Sequence, residues 1–439
     1  MQNYTSTKSE HGVAFMKHKK LIITAIVIFS LAVFLSIFIT LWFWGDSYPD
    51  FSSGDFNTVK TRSGEALDIP GLEDGAVPQG IANYTYVDTD EEITKQEYFF
   101  ISVYMKKGPS RLYVTGARTG YVGYVTLKNK DGTDYYGHAG GVATNCNNSD
   151  NDGNKTRVAN GTLWVVSDGT VYCAKSSEEY ADAKYNIAEE VILKAKKTEG
   201  DKSVKFTASF KAYNEASFCF FYDNGTSSTS EDKLYVGEFY RAGDDRYSTA
   251  KNHHVKTLSG NKQYAFVYEY TSNTTSSNEY GLSKLSDTDV PDENNVPKID
   301  KIISIPDKIQ GFARTASGQL VLSESYGLPN SHLYYYDWSV ILENTSTNRA
   351  SFSTLTGSNF EYEGVYRKSG VKYTDSTLYV YFADKSRALR DYEVPCMAEG
   401  MCVNGDKIYV LFESGCYKYK AFVRQQIRDI YFFTPREKN

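Results

Sequence analysis

The chain has 439 residues, of which 15% are aromatic, with 37 Tyr against 4 Trp and a net charge of −6. That charge is spread without long runs, which argues against nucleic acid as the main partner. Tyr, Val, Thr and Phe favour half-buried pleated surfaces, so the composition points to an all-β protein with room for one large domain or two ordinary ones.

In chain order, residues 1–20 end on Lys17, His18, Lys19 and Lys20. The run from Leu21 to Trp44 that follows is free of charge and long enough to cross a bilayer with some tilt. Asp46, Asp50 and Asp55 lie beyond it, so the positive-inside rule places residues 1–20 in the cytoplasm and the remainder outside. A cleaved signal peptide is the competing reading, but its apolar stretch is ~7–15 residues and ends in small side chains. This run ends in Leu41-Trp42-Phe43-Trp44, as an uncleaved single-pass signal-anchor does. Residues 45–68 are polar and rich in Gly, Ser and Asp, and read as a membrane-proximal stalk. Residues 69–439 form the extracytoplasmic domain. Glycosylation sequons stand at Asn83, Asn147, Asn154, Asn160, Asn224, Asn273 and Asn344. They have meaning only if the chain follows a eukaryotic secretory route to a glycoprotein.

An internal repeat organises the domain. Five sites share a polar residue, then Gly or Ser, a large apolar residue and a small one. They are Gln79-Gly80-Ile81-Ala82, His138 with Gly141-Val142-Ala143, Glu215 with Ser217-Phe218-Cys219, Gln310-Gly311-Phe312-Ala313, and Glu399-Gly400-Met401-Cys402. A turn and a second apolar strand follow each: FISVY (100–104), WVVSD (164–168), LYVGE (234–238), LVLSE (320–324) and YVLFE (409–413). The last four end on an acid, where the first has Tyr104. The sites lie about 60 to 95 residues apart, enough for one four-stranded blade plus a long loop. This predicts a β-propeller of five blades, with six as the alternative if STLYVYFADKSRALRDYEV supplies another. Residues 176–197 are the main helical candidate, and read equally as a loop leading into a strand.

Cys219 and Cys402 fill the small-residue slot that Ala82, Ala143 and Ala313 fill elsewhere, so both are expected buried and unpaired. No CxxC pair exists, which excludes zinc-ribbon and thioredoxin-like readings. In an oxidising compartment, elimination leaves Cys146 with Cys173 and Cys396 with Cys416 as candidate disulfides, out of three possible connectivities.

The ordered motifs QGIA, HAGGVA, LYVGEF, QGFARTASGQLVLSESYG and AEGMCVNGDKIYVLFESG resemble those of bacterial secreted or membrane-attached β-propeller proteins. The likeness spans about residues 75 to 420, and its last two motifs are the most specific. More distantly the chain is similar to gluconolactonase and strictosidine-synthase-like propellers. That likeness implies channel carboxylates that bind a divalent metal, although the lactonases' Glu-Asn-Asp set has no residue-by-residue match here.

In a propeller the innermost strands line a central channel. Gln79, His138, Glu215, Gln310 and Glu399, each entering such a strand, are therefore expected in a ring at one channel mouth. Asp168, Glu238, Glu324 and Glu413 end the neighbouring strands. Two roles compete for these acids: a repeated staple to backbone N–H groups of an adjacent blade, or convergence on a hard cation such as Ca²⁺ with amide oxygens of Gln79 and Gln310. His138 occupies a position that other repeats give to Gln or Glu, which favours hydrogen bonding in the channel over catalysis. His253-His254 reads as a solvated loop, and Tyr334-Tyr335-Tyr336 as partly core with a possible sugar-stacking face. The chain has no G-x-S-x-G elbow, HExxH, P-loop or dinucleotide fingerprint. The expected function is a membrane-anchored binding or scaffolding propeller for a protein or carbohydrate ligand. A divalent-cation-dependent, lactonase-like hydrolase and a lectin-like sugar binder are the alternatives.

Overall fold

The computed structural model describes residues 20, 22–36, 55–86, 96–150, 152, 154–182, 184–212, 216–242, 254–257, 259–284, 297–342, 349–351 and 379–436. Residues 1–48 form a unit of their own, in which Lys20 and residues 22–36 are helical with exposed side chains. No helix among the described residues is long and apolar enough to cross a membrane. Leu21 and residues 37–44 of the expected span lie outside the described residues, as do Glu215, His253 and Asn344.

Residues 49–439 form a second unit, a five-bladed β-propeller. Its inner strands are Ala76–Tyr86, Gly141–Thr144, Ala216–Tyr222, Ile309–Arg314 and Ala398–Asn404, the first halves of the five repeats. Each pairs antiparallel with the repeat's second half: Gln96–Met105, Leu163–Ser167, Lys233–Glu238, Gln319–Glu324 and Lys407–Phe412. The register sets Ala82 opposite Phe100, Ala143 opposite Trp164, Cys219 opposite Val236, Ala313 opposite Val321 and Cys402 opposite Tyr409. The small slot of the repeat thus faces a large side chain of the second strand in every blade but the third and fourth, where a valine suffices.

The outer strands differ from blade to blade. Blade 1 adds Arg111–Gly116, Gly120–Lys128 and, parallel at its edge, Ser203–Lys205; blade 2 adds Thr170–Ala174 and Ala208–Lys211. Blade 3 adds Ala265–Thr271 and Ile299–Ile305, then Tyr379–Phe382 in parallel and Arg349–Ser351. Blade 4 adds Ser331–Asp337 and Arg390–Val394. The segment that suggested a sixth blade is therefore split, with Tyr379–Phe382 extending blade 3 and Arg390–Val394 completing blade 4. Blade 5 is closed by both ends of the domain. Tyr431–Phe433 pairs with its second strand, and Phe56–Thr58, within the segment expected as a stalk, pairs with Tyr431–Phe433. Arg390 and Arg436 both hold the carboxylate of Asp55, which fastens that N-terminal strand.

The helical candidate is real. Asn186 caps the helix Ile187–Lys196 in a reciprocal capping box with Glu189. Its Ile187, Val191 and Ile192 pack on Leu112, Val125 and Leu127 of blade 1. Gly123 permits this, because a Cβ there would lie 2.1 Å from the Ala195 carbonyl oxygen.

Hydrophobic side chains fill the spaces between successive blades, and this arrangement corrects the disulfide expectation. All six cysteines are buried free thiols. Cys173, opposite Trp164, packs between blades 2 and 3, whereas Cys146 lies past the end of the strand Gly141–Thr144 and packs between blades 1 and 2. Cys396 and Cys416 are likewise unpaired, and burial pushes each thiol up to about 11. Cys219 and Cys402 are buried and unpaired, as the small-residue slot requires.

The repeated glycines mark where backbones meet. A Cβ on Gly80 would sit 2.6 Å from Val142 N, one on Gly141 2.5 Å from Cys219 N, and one on Gly400 2.8 Å from Gln79 O. At Gly311 it would lie 2.5 Å from Glu399 O. None of these atoms is the end of a flexible side chain. Gly311→Val is expected to destabilise the domain by more than ~2 kcal/mol, whereas Lys107→Val, at an exposed loop position, costs little. Equal melting temperatures for the two variants would contradict this packing.

Candidate functional site

The polar residue of the repeat sits in a β-bulge. Pairing skips Gln79 between Pro78 and Gly80 and Gln310 between Ile309 and Gly311, and it skips both Glu399 and Gly400 between Ala398 and Met401. A bulged residue is released from the ladder and its side chain is re-aimed, which in blade 1 brings Gln79 against Glu413 of blade 5. In blade 3 the register shift falls at Ser217.

Beside Gln79, Glu399 and Glu413 meet. The carbonyl of Met397, which turns the chain at a φ of 65°, accepts from the Glu413 N–H at 3.0 Å and sets the second acid beside the start of the inner strand. Both carboxyls are buried and share a hydrogen bond. Burial, then the neighbouring charge, holds Glu399 well above the usual carboxylate range. Burial pushes Glu413 up to about 7, against Lys418, Gln79, Tyr419 and Glu399, which favour its charged form. The two titrate as a pair whose protons are held above the usual carboxylate range by burial and by each other. Gln79 Nε2 donates to Glu413 Oε2 at 3.0 Å from blade 1.

A rim of aromatic and basic groups continues from the pair. Lys418 Nζ donates to Tyr104 Oη at 2.6 Å, and the Tyr104 ring stacks on His138 with centroids 4.9 Å apart. Tyr104 thus fills the place of the missing acid in the first repeat. Beside it lies an open cleft of about 370 Å³ lined by Tyr104, Lys106, Ser110, Tyr136 and His138. Tyr136 and Tyr417 stand at this edge of the molecule 68% and 56% exposed. Sequence reading missed Lys418 and Tyr419. The alternating Cys416-Tyr417-Lys418-Tyr419-Lys420 after the acid was their signal.

The other sequence candidates go elsewhere. Gln310 is half-buried in its bulge. Asp168 and Gly169 form a two-residue turn with φ of 47° and 77°, and Ser167 Oγ donates to the Asp168 carboxylate at 2.8 Å. Glu238 accepts from Phe266 N at 3.2 Å and from Tyr268 Oη at 2.7 Å, both within its own blade. Glu324 accepts from Tyr334 Oη at 2.6 Å and pairs with Lys385. These acids do not fit a shared Ca²⁺ site, because a lysine already neutralises Glu324 and the others are spent on separate partners. Among the described residues no group of three or more His, Cys, Asp or Glu side chains is placed to hold a metal ion. The staple between blades is made by a serine of the second strand. Ser102 Oγ donates to Ala139 O and Ser323 Oγ to Ala398 O, each at 2.9 Å in the next blade. Tyr335 and Tyr336 are buried and Tyr334 bonds to Glu324, so the three tyrosines belong to the core of blade 4.

No protein-family model matches the chain, and no curated protein matches it. Among solved structures, the PQQ-bound aldose sugar dehydrogenase of Streptomyces coelicolor is 13% identical, with 86% of this chain and 97% of that chain covered at a TM-score of 0.35. A GH43_1 enzyme from Xanthomonas citri is 10% identical, with 86% and 89% covered at a TM-score of 0.33. Likeness this low carries no argument about what this chain does.

The raised acids predict the pH dependence of stability. A carboxyl whose folded pKa lies above its unfolded value stabilises fully below the unfolded value, and that contribution is lost as pH rises through the folded one. For Glu413 the window runs from 4.5 to about 7. Asp232, raised to about 7 by burial, and Asp307, raised to about 6, act in the same direction. Melting temperature is expected to fall between about pH 5 and about pH 8, and to fall less in Glu413→Gln. An identical slope in that variant would show that the pair does not retain its proton.

Proposed function

We propose that this propeller is a binding module that takes a small, neutral, hydroxyl-rich ligand of the carbohydrate class at the Glu399–Glu413 mouth. The observation that carries this reading is the buried acid–carboxylate pair, oriented by Gln79 and bordered by the Tyr104–His138 stack. The pair fixes the rim, where Tyr104, Ser110 and His138 offer hydrogen-bonding groups to ligand hydroxyls. Lys418 balances the pair's single negative charge, which disfavours a cationic ligand. Tyr136, in the cleft lining and 68% exposed, gives it a flat apolar face of the kind sugar rings stack on.

Binding is favoured over hydrolysis by the closeness of the two acids. Glycosidase carboxyls stand ~5–9.5 Å apart to flank the scissile bond. Here they hydrogen-bond to each other. The lactonase-like reading needs a divalent cation, and the acids that would hold it are engaged separately. In this proposal residues 21–44 anchor the chain in a membrane, with residues 1–20 cytoplasmic and the propeller outside. Its support is the charge-free run and the lysines that precede it.

A glycan array probed with the domain, followed by calorimetry on the best neutral oligosaccharide, tests the function. Tyr136→Ala is expected to weaken binding by about 1 kcal/mol, or roughly fivefold, without changing the melting temperature. Absence of glycan binding, together with turnover in a lactone and ester screen, would replace binding by catalysis.

A further inference from the structure

The opposite end of the channel holds a second pocket that differs in character. The C-terminal ends of the inner strands, with the loops that follow them, enclose about 320 Å³. This is near the lower limit for small-molecule sites. Ile81, Val142, Phe220 and Met401 line its floor, and Asn83, Asn404, Lys155, Asp223, Asp150 and Arg314 line its walls.

Arg314 dominates its chemistry. The guanidinium lies over Tyr222 at 3.9 Å and over Trp338 at 4.3 Å from the ring centroids, so aromatic rings fix its plane. Its Nη1 donates to Tyr235 Oη at 2.9 Å, and Tyr235 donates to the buried Glu269 at 2.8 Å. Glu269 is already paired with Lys301 at 2.5 Å. The relay orients Arg314, whose guanidinium makes no ion pair with a described carboxylate. Its Nε is buried without a hydrogen-bond partner. The other charges are committed. Lys155 and Asp223 pair at 2.6 Å, and Asp150 accepts from Asp152 N and Asn154 N in its own turn.

The neutral walls complement this cation. Asn404 Nδ2 donates to Glu97 at 2.8 Å, and Asn83 donates to the same carboxyl. With both amide nitrogens engaged, the amide oxygens remain as acceptors for ligand O–H groups. A planar cation with a vacant donor, beside fixed acceptors, suits a molecule that carries a carboxylate and hydroxyls.

We propose that this mouth binds a sugar acid, its carboxylate on Arg314 and its hydroxyls on Asn83 and Asn404. The site is independent of the neutral-ligand site at the other mouth. D-Glucuronate and its uncharged isostere D-glucuronamide are the probes, titrated calorimetrically into the intact domain. Glucuronate is expected to bind at least roughly tenfold more tightly than the amide. Ala316→Glu, at an exposed rim position, should remove that preference by placing a like charge at the entrance, with an unchanged melting temperature. Arg314→Lys should reduce it as well, since lysine keeps the charge but loses the planar fork. Equal affinity for the two probes, no glucuronate binding at millimolar concentration, or full preference in the folded Ala316→Glu variant would each overturn the proposal.

Discussion

Backbone meets backbone around the propeller axis. Gly80 abuts Gly141 and Val142, Gly141 abuts Phe218 and Cys219, Gly311 abuts Glu399, and Gly400 abuts Gln79 and Gly80, at distances that leave no space for a Cβ. Five strands cannot converge this closely and remain evenly paired with their outer neighbours. The bulges at Gln79, Gln310 and Glu399 absorb the mismatch and release polar side chains from the ladder, of which Gln79 and Glu399 both meet Glu413. The same crowding removes water from Glu399 and Glu413, and that desolvation makes two adjacent acids share a proton. Architecture, bulge and protonation state thus follow from one steric condition.

The five-fold plan was legible because the condition recurs: polar residue, glycine, large apolar residue, small residue. Every inner strand and its partner was marked by these motifs. The closing strand Phe56–Thr58 was not, since three residues in a polar stretch carry no periodicity and are held by pairing with a strand far along the chain. The same is true of Tyr379–Phe382, which joins blade 3 in parallel across a long insertion.

The candidate site was legible only in part. Repetition flagged Gln79, Glu399 and Glu413, but it also suggested that Asp168, Glu238, Glu324 and Glu413 are equivalent. Their surroundings separate their fates: Asp168 enters a two-residue turn, Glu238 bonds inside its blade, Glu324 meets Lys385, and Glu413 alone of the four meets another acid. The interblade staple was hidden because Ser102 and Ser323, ordinary residues in a β-strand, make it. Arg314 was equally hidden, since its importance comes from Tyr222, Trp338 and Tyr235, which are remote from it in sequence or lie in other strands.

The two ends are chemically unlike, one built on a buried pair of acids and the other on a guanidinium held against aromatic rings, although one set of five strands runs between them. The central claim is that axial crowding keeps a proton between Glu399 and Glu413 at neutral pH. Infrared difference spectroscopy on protein with isotope-labelled glutamate, comparing the unmutated chain with Glu399→Gln, tests it most directly. A protonated carboxylic acid band at neutral pH that disappears in the variant is the predicted result. A difference spectrum that contains only carboxylate bands would contradict the account.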